Sequence, residues 1–167
     1  MSQAVRRKIG PVRVPGGSTS EPVTTDWDRF VRALAQCLSE LPSRATLIIG
    51  APGNRYVQFV QYDIKLSVEL AGNSYLTQPI SPTAEHTLRD LGWCEPVARR
   101  GIDNWTRTLL WPLSMDTLVG LARSVAIGLR DALGVGTPVE LRAMGWTETS
   151  GDLDLTALGP IAHRGVH

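Results

Sequence analysis

The side chains best equipped for chemistry in this sequence are three histidines, His86, His163 and His167, two thiols, Cys37 and Cys94, and the acid pair Asp152 and Asp154. An imidazole titrates near neutrality, but as a catalyst or ligand it needs a partner within reach. His86 sits beside Glu85 in a helical pattern and reads as a solvated helix residue, while His163 and His167 fall in a polar terminal stretch. Cys37 lies next to Leu38 near the edge of an apolar helical stripe, where a thiol behaves as an inert core group. Cys94 stands before Glu95, and an acidic neighbour disfavours its thiolate. Asp152 and Asp154 have the spacing of metal ligands, yet no further acidic cluster completes a calcium loop. No HExxH, GxSxG, phosphate-loop or CxxC pattern occurs. Gly50-Ala51-Pro52-Gly53-Asn54 joins two strands and opens no helix, so it offers no helix N-terminus to a phosphate. Arg99, Arg100 and Asp103 lie in an irregular loop, where functional residues often sit, but no base or nucleophile accompanies them. The expectation is a protein with no catalytic residue, no bound metal and no cofactor.

A different chemistry is suggested by Trp105, Arg107, Leu109 and Trp111. They alternate along NWTRTLLW and would share one face of a strand. Aromatics interleaved with arginine are a composition of contact surfaces, and these four are the candidate partner-binding residues. Two readings stay open. If the face points outward it is a dimer or client interface; if the last helix covers it, the same residues are core.

These residues need elements to hold them. Thr25 is a good N-cap, and Trp27, Phe30, Val31, Leu34, Ala35, Leu38 and Leu41 recur at helical spacing until Pro42-Ser43. Ala45–Ile49 reads as a strand, Pro52-Gly53-Asn54 as a turn, and Tyr56–Tyr62 as a strand rich in β-branched and aromatic residues. Lys65–Leu70 alternates polar and apolar, with Leu66, Val68 and Leu70 on one face. The short connection at Asp63-Ile64 favours a hairpin, so three strands in succession predict an antiparallel meander. Ser81-Pro82 opens a second helix that closes at Gly92. After the strand Asn104–Trp111, Ser114 caps a last helix carrying Leu118, Leu121, Ala122, Val125, Leu129 and Ala132. Val139–Met144 reads as a final short strand or extended segment. The order, without regular strand–helix alternation, predicts an α+β fold in which one or two further strands join the meander and three helices pack on the sheet.

The run YVQFVQ, the strand KLSVELAGNSYL and the segment ISPTAEHTLRDLGW, in that order, resemble the TY-Chap domains, bacterial domains grouped with type III secretion chaperones and YbjN-like proteins. Asp103-Asn104-Trp105, the helix end Leu129-Arg130-Asp131-Ala132-Leu133-Gly134-Val135 and Thr137-Pro138 continue the likeness, which spans roughly residues 25 to 146. The resemblance implies helices packed against an antiparallel sheet, a protein or peptide client, and homodimers of the kind secretion chaperones form. No residue pattern shows a dimer on its own.

The sequence, 167 residues with 43% hydrophobic and 20% charged side chains, is long enough for one well-filled core. The division expected is a flexible arm at 1–23, one domain at 24–146 and a flexible tail at 147–167. The net charge of +1 is unevenly placed, with Arg6, Arg7, Lys8 and Arg13 gathered in the arm while the body is balanced. Such an arm could draw in nucleic acid through phosphate contacts, but a neutral body offers no matching groove. Nucleic-acid binding is therefore the second reading, behind a non-enzymatic, chaperone-like module that holds a protein or peptide segment. No apolar run approaches the ~20 residues of a membrane span, no signal-peptide core follows the basic start, and two distant cysteines form no disulfide framework. The expected setting is cytoplasmic.

Overall fold

The computed structural model describes residues 25–159 and 161–163. The basic arm with Arg6, Arg7, Lys8 and Arg13, and the terminal His167, lie outside the described residues.

The first helix, α1 (Asp26–Ser39), starts where its capping chemistry dictates. Thr25 Oγ1 accepts from the Asp28 amide at 3.1 Å, and the Thr25 amide donates back to the Asp28 carboxylate at 2.9 Å. That backbone hydrogen bond is the main reason the Asp28 carboxyl titrates below its ordinary value. Phe30, Val31, Leu34, Ala35, Cys37 and Leu38 form the buried stripe, with Trp27 half-buried and edge-on to Phe30. The strands β1 (Ala45–Ala51), β2 (Arg55–Tyr62) and β3 (Lys65–Leu70) then form the expected antiparallel meander. Helix α2 (Pro82–Asp90) is capped by Ser81, whose hydroxyl accepts from the Ala84 amide at 3.1 Å. Strand β4 (Trp105–Leu110) returns antiparallel beside β3, and Ser114 caps α3 (Met115–Ile127). The helical path continues as a π-turn over Gly128–Ala132.

The last part of the sequence departs from expectation. The last strand expected over Val139–Met144 begins later: Pro138–Glu140 is a 3-10 turn, and β5 runs Arg142–Thr147, antiparallel to the far side of β1. Proline at the first position of that turn, with Glu140 accepting from the Gly136 and Thr137 amides, holds the turn in place of extended chain. The flexible tail expected from 147 onward is corrected as well. Gly151–Asp152 pairs with β5 as β6, Thr156–Leu158 makes a 3-10 turn against α1, and Ala162–His163 runs parallel to β5 as β7. Leu155, Leu158 and Ile161 are buried in the common core. Their three-residue spacing is too brief, and too broken by Gly159-Pro160, to mark a regular helix or strand.

The result is an α+β fold of three α-helices on an antiparallel sheet ordered β4-β3-β2-β1-β5-β6, with the parallel β7 beside β5. Leu47, Ile49, Val57, Phe59, Leu66 and Val68 point to the helices and are fully buried. The opposite face is covered by no element among the described residues. There Ile48, Val60, Met144 and Trp146 stand half-buried between Thr46 and Ser67.

One contact pins the end of β3 to the start of β4. Gly72 packs so tightly that an added Cβ would lie 1.9 Å from the Asp103 carbonyl oxygen, while the Gly72 amide donates to Asn104 Oδ1 at 3.1 Å. Replacing Gly72 with alanine must push backbone away from backbone. Gly72→Ala should cost roughly 1–3 kcal/mol or more in a denaturant melt, and an unchanged midpoint would show that the two segments are not locked.

Candidate functional site

Strand β4 closes one side of the sheet, and its pairing decides which way its main chain points. Trp105, Arg107, Leu109 and Trp111 turn their backbone groups toward the β3 hairpin, as the Trp111 amide shows by donating to the Ile64 carbonyl at 2.9 Å. Thr106, Thr108 and Leu110 turn theirs the other way. Thr106 is satisfied: its carbonyl accepts from the Cys94 amide at 2.8 Å, and its amide donates to the Cys94 carbonyl at 3.0 Å. Among the described residues no segment pairs with the strand beyond that point. The amides and carbonyls of Thr108 and Leu110 are therefore left at an open ladder edge. Leu110 is 79% exposed, and Ile64 and Tyr62 are exposed near it at the turn joining β2 and β3. Proteins usually protect such an edge with charge, proline or a bulge. Here the edge residues themselves are a threonine and a leucine. Across the sheet, the outer flank of β5 is already taken by β6 and β7, each two residues long.

The four candidate contact residues all lie on the other face of β4, under the helices. Trp105 is only 2% exposed, with the Arg89 guanidinium over its ring. Arg107 is half-buried and donates to Ser124 Oγ of α3 at 3.1 Å. Burial holds its pKa below the ordinary guanidinium value. Leu109 and Trp111 are half-buried against the core. Of the two readings left open, the burial of Trp105 fits the core one. Helices cover this face: Arg89 of α2 lies over Trp105, and Ser124 of α3 meets Arg107. What the pattern missed is the opposite set, Thr108 and Leu110, whose exposure depends on pairing parity and not on residue type.

The other candidates are dispersed. Cys37 is buried in α1, where desolvation pushes its thiol up to about 11. His86 lies exposed on α2 within 3.4 Å of Asp90. Cys94 is exposed beside β4. Arg99 and Arg100 are exposed in a 3-10 turn, and Asp103 accepts from the Tyr75 hydroxyl at 3.3 Å. The structure brings none of these together, and the described residues hold no group of three or more His, Cys, Asp or Glu able to bind a metal ion. No helix of the described residues is long and apolar enough to cross a membrane.

The sheet thus has one helix-covered face, one open face and one open edge. Comparison with known families gives one match. The family described as T3SS (YopN, CesT) and YbjN peptide-binding chaperone 3, TY-Chap3, matches residues 20–147. The chain belongs to the TY-Chap3 family. Searches of curated proteins and of solved structures returned no match. The TY-Chap3 match ends at the last residue of β5, so β6, the 3-10 turn and β7 extend the domain beyond the matched region.

Burial separates the two faces of β4 in a direct measurement. Trp105→Ala should lower stability by ~3–5 kcal/mol through the cavity it leaves, whereas Leu110→Lys should change it by no more than ~0.5 kcal/mol. Equal losses in thermal melts would show that the two faces are not distinct. A second check uses the thiols. At pH 8 the native protein should expose one reactive cysteine, Cys94, to a thiol reagent. Because the folded value of Cys37 is raised above its ordinary 9.0, its stabilising contribution is full below pH 9 and is lost as pH rises toward 11. A Cys37→Ala variant should lack that part of the alkaline decline.

Proposed function

We propose that this TY-Chap3 domain is a non-enzymatic, chaperone-like module that holds an extended segment of a client protein as an added strand on β4. The observation that carries the reading is the unpaired edge at Thr108 and Leu110, flush with an apolar patch and closed at its other end by Cys94. A strand seated there would continue the ladder that Cys94 begins. Main-chain hydrogen bonds would supply affinity with little regard to sequence, and side chains would alternate between two environments. On the helix side they would meet Leu109, Trp111 and the head of Arg107; on the open side, Leu110, Thr108 and Lys65. Of the four residues drawn from the sequence, Trp105 then acts as the buried anchor of the strand, and the other three border the bound segment.

The family's description as a peptide-binding chaperone supports the same class of partner. We further place the protein in a reducing, cytoplasmic setting, in keeping with two free cysteines, one buried and one exposed, and leave its secretion link to the family resemblance. A second copy could use the same edge to form a homodimer, joining β4 to β4 across a two-fold axis.

Backbone hydrogen exchange tests the edge directly. Adding a short threonine- and valine-rich strand peptide should slow exchange at the Thr108 and Leu110 amides while leaving Trp105 and Leu109, already bonded to β3, unchanged. Leu110→Lys should weaken that peptide's binding about tenfold or more, since a charge on the edge opposes strand addition. Binding that leaves both amides unprotected would move the site elsewhere. Protection that rises with protein concentration and without peptide would assign the edge to the homodimer.

A further inference from the structure

Arg107 has an arrangement unlike that of the other arginines. Arg29, Arg44, Arg55, Arg89 and Arg130 each pair with a carboxylate. The described arginines without one, apart from Arg107, are exposed to solvent, where water solvates the charge. Arg107 is half-buried, and its one described hydrogen bond runs from Nη1 to Ser124 Oγ. Ser124 spends its own proton on the Leu121 carbonyl at 2.8 Å, so it serves Arg107 as a neutral acceptor only. A guanidinium offers five N–H donors in a fixed fork that matches a carboxylate. Held partly out of water, such a fork gains more from an anionic partner than an exposed one does.

The residue that flanks it at the end of α2 is a glycine. Gly92, exposed at the end of α2, lies beside the guanidinium, and even an added Cβ there would sit 3.7 Å from Nη2. The position directly across from Arg107 is occupied by Trp93, because Cys94 faces Thr106 in an antiparallel bridge. The first free helix-side position on an added strand is therefore the one across from Leu109. It is diagonal to Arg107, at a backbone separation of about 7–8 Å that long side chains span.

We propose that the client strand seated on β4 carries an acidic side chain, glutamate or aspartate, across from Leu109, and that this carboxylate pairs with Arg107. This rests on the strand-addition reading above. It makes the module selective for extended segments with an acid among β-branched or apolar residues, and it sets the register of the bound strand, since sliding by one residue would turn the acid to the open face.

The test uses the full chain and two labelled, acetylated strand peptides of alternating threonine and valine flanked by serines, with glutamate or glutamine at the centre. Fluorescence anisotropy should show the glutamate peptide binding about tenfold tighter, the weight of one charge-assisted pair, with the advantage shrinking as salt is raised. Arg107→Gln should bind the two peptides alike, and Arg107→Lys should keep part of the preference. A thermal melt of each variant confirms that it is folded. Equal affinity of both peptides for the wild-type chain overturns the acidic selectivity and leaves strand addition standing. Absence of binding by either peptide, with Thr108 and Leu110 still exchanging freely, overturns strand addition and this inference with it. A preference that persists in Arg107→Gln assigns the carboxylate to another cation and overturns the role of Arg107.

Discussion

Everything in this molecule depends on one face of a twisted antiparallel sheet being buried. The alternation in β1, β2 and β3 places Leu47, Ile49, Val57, Phe59, Leu66 and Val68 on the same side. A slip of one residue in any ladder would expose a whole row of them, so register is set by burial and not by the hydrogen bonds, which any register could form. Helices α1 and α3 pack on each other and on that face, sealing it with Leu34, Leu38, Leu118, Leu121 and Val125. The same requirement accounts for Trp105: it is opposite Leu70 in the β4 ladder and must face where Leu70 faces.

Burying one face leaves two features unsolved by the same stroke: the second face and the sheet's ends. At the β5 end the chain solves the problem itself by doubling back twice, and Leu155, Leu158 and Ile161 hold the return against the core. At the β4 end it solves half. Cys94 pairs with Thr106, and then α2 and its glycine cap carry the chain off the edge. The asymmetry is physical: Trp93 must reach the core and its amide closes on the Leu88 carbonyl at 3.0 Å, so this segment can run beside β4 for one bridge only.

This geometry explains which parts were readable from residues alone. Thr25, Ser81 and Ser114 announce their helices because a hydroxyl capping an orphan amide is a local event, complete within four residues. The meander was equally legible, because two-residue periodicity and a short turn are local too. The packing of β5, β6 and β7 was not. Residues 138–140 precede a true strand, but a proline and a glutamate bonded to two backbone amides bend them into a turn. Leu153, Leu155, Leu158 and Ile161 gain their meaning only from α1 and β5, elements more than a hundred residues away in one case. Long-range burial has no local signature.

The edge is the sharpest instance. Nothing in the types of Thr108 and Leu110 marks their amides as free, and Trp105 and Trp111, which flank them, are chemically louder. Which amide faces out follows from a chain of dependencies: the β2–β3 turn sets the β3 register, β3 sets β4, and Thr106 meeting Cys94 fixes the parity of what remains. Each link is a pairing between segments distant in sequence. A sequence reading weighted toward conspicuous side chains therefore selected the buried face of β4. Binding by strand addition draws mainly on backbone groups, which every residue carries, so its site is written in topology before it is written in composition. Side chains enter second, and the core that buries Trp105 also withholds water from the Arg107 guanidinium two residues on.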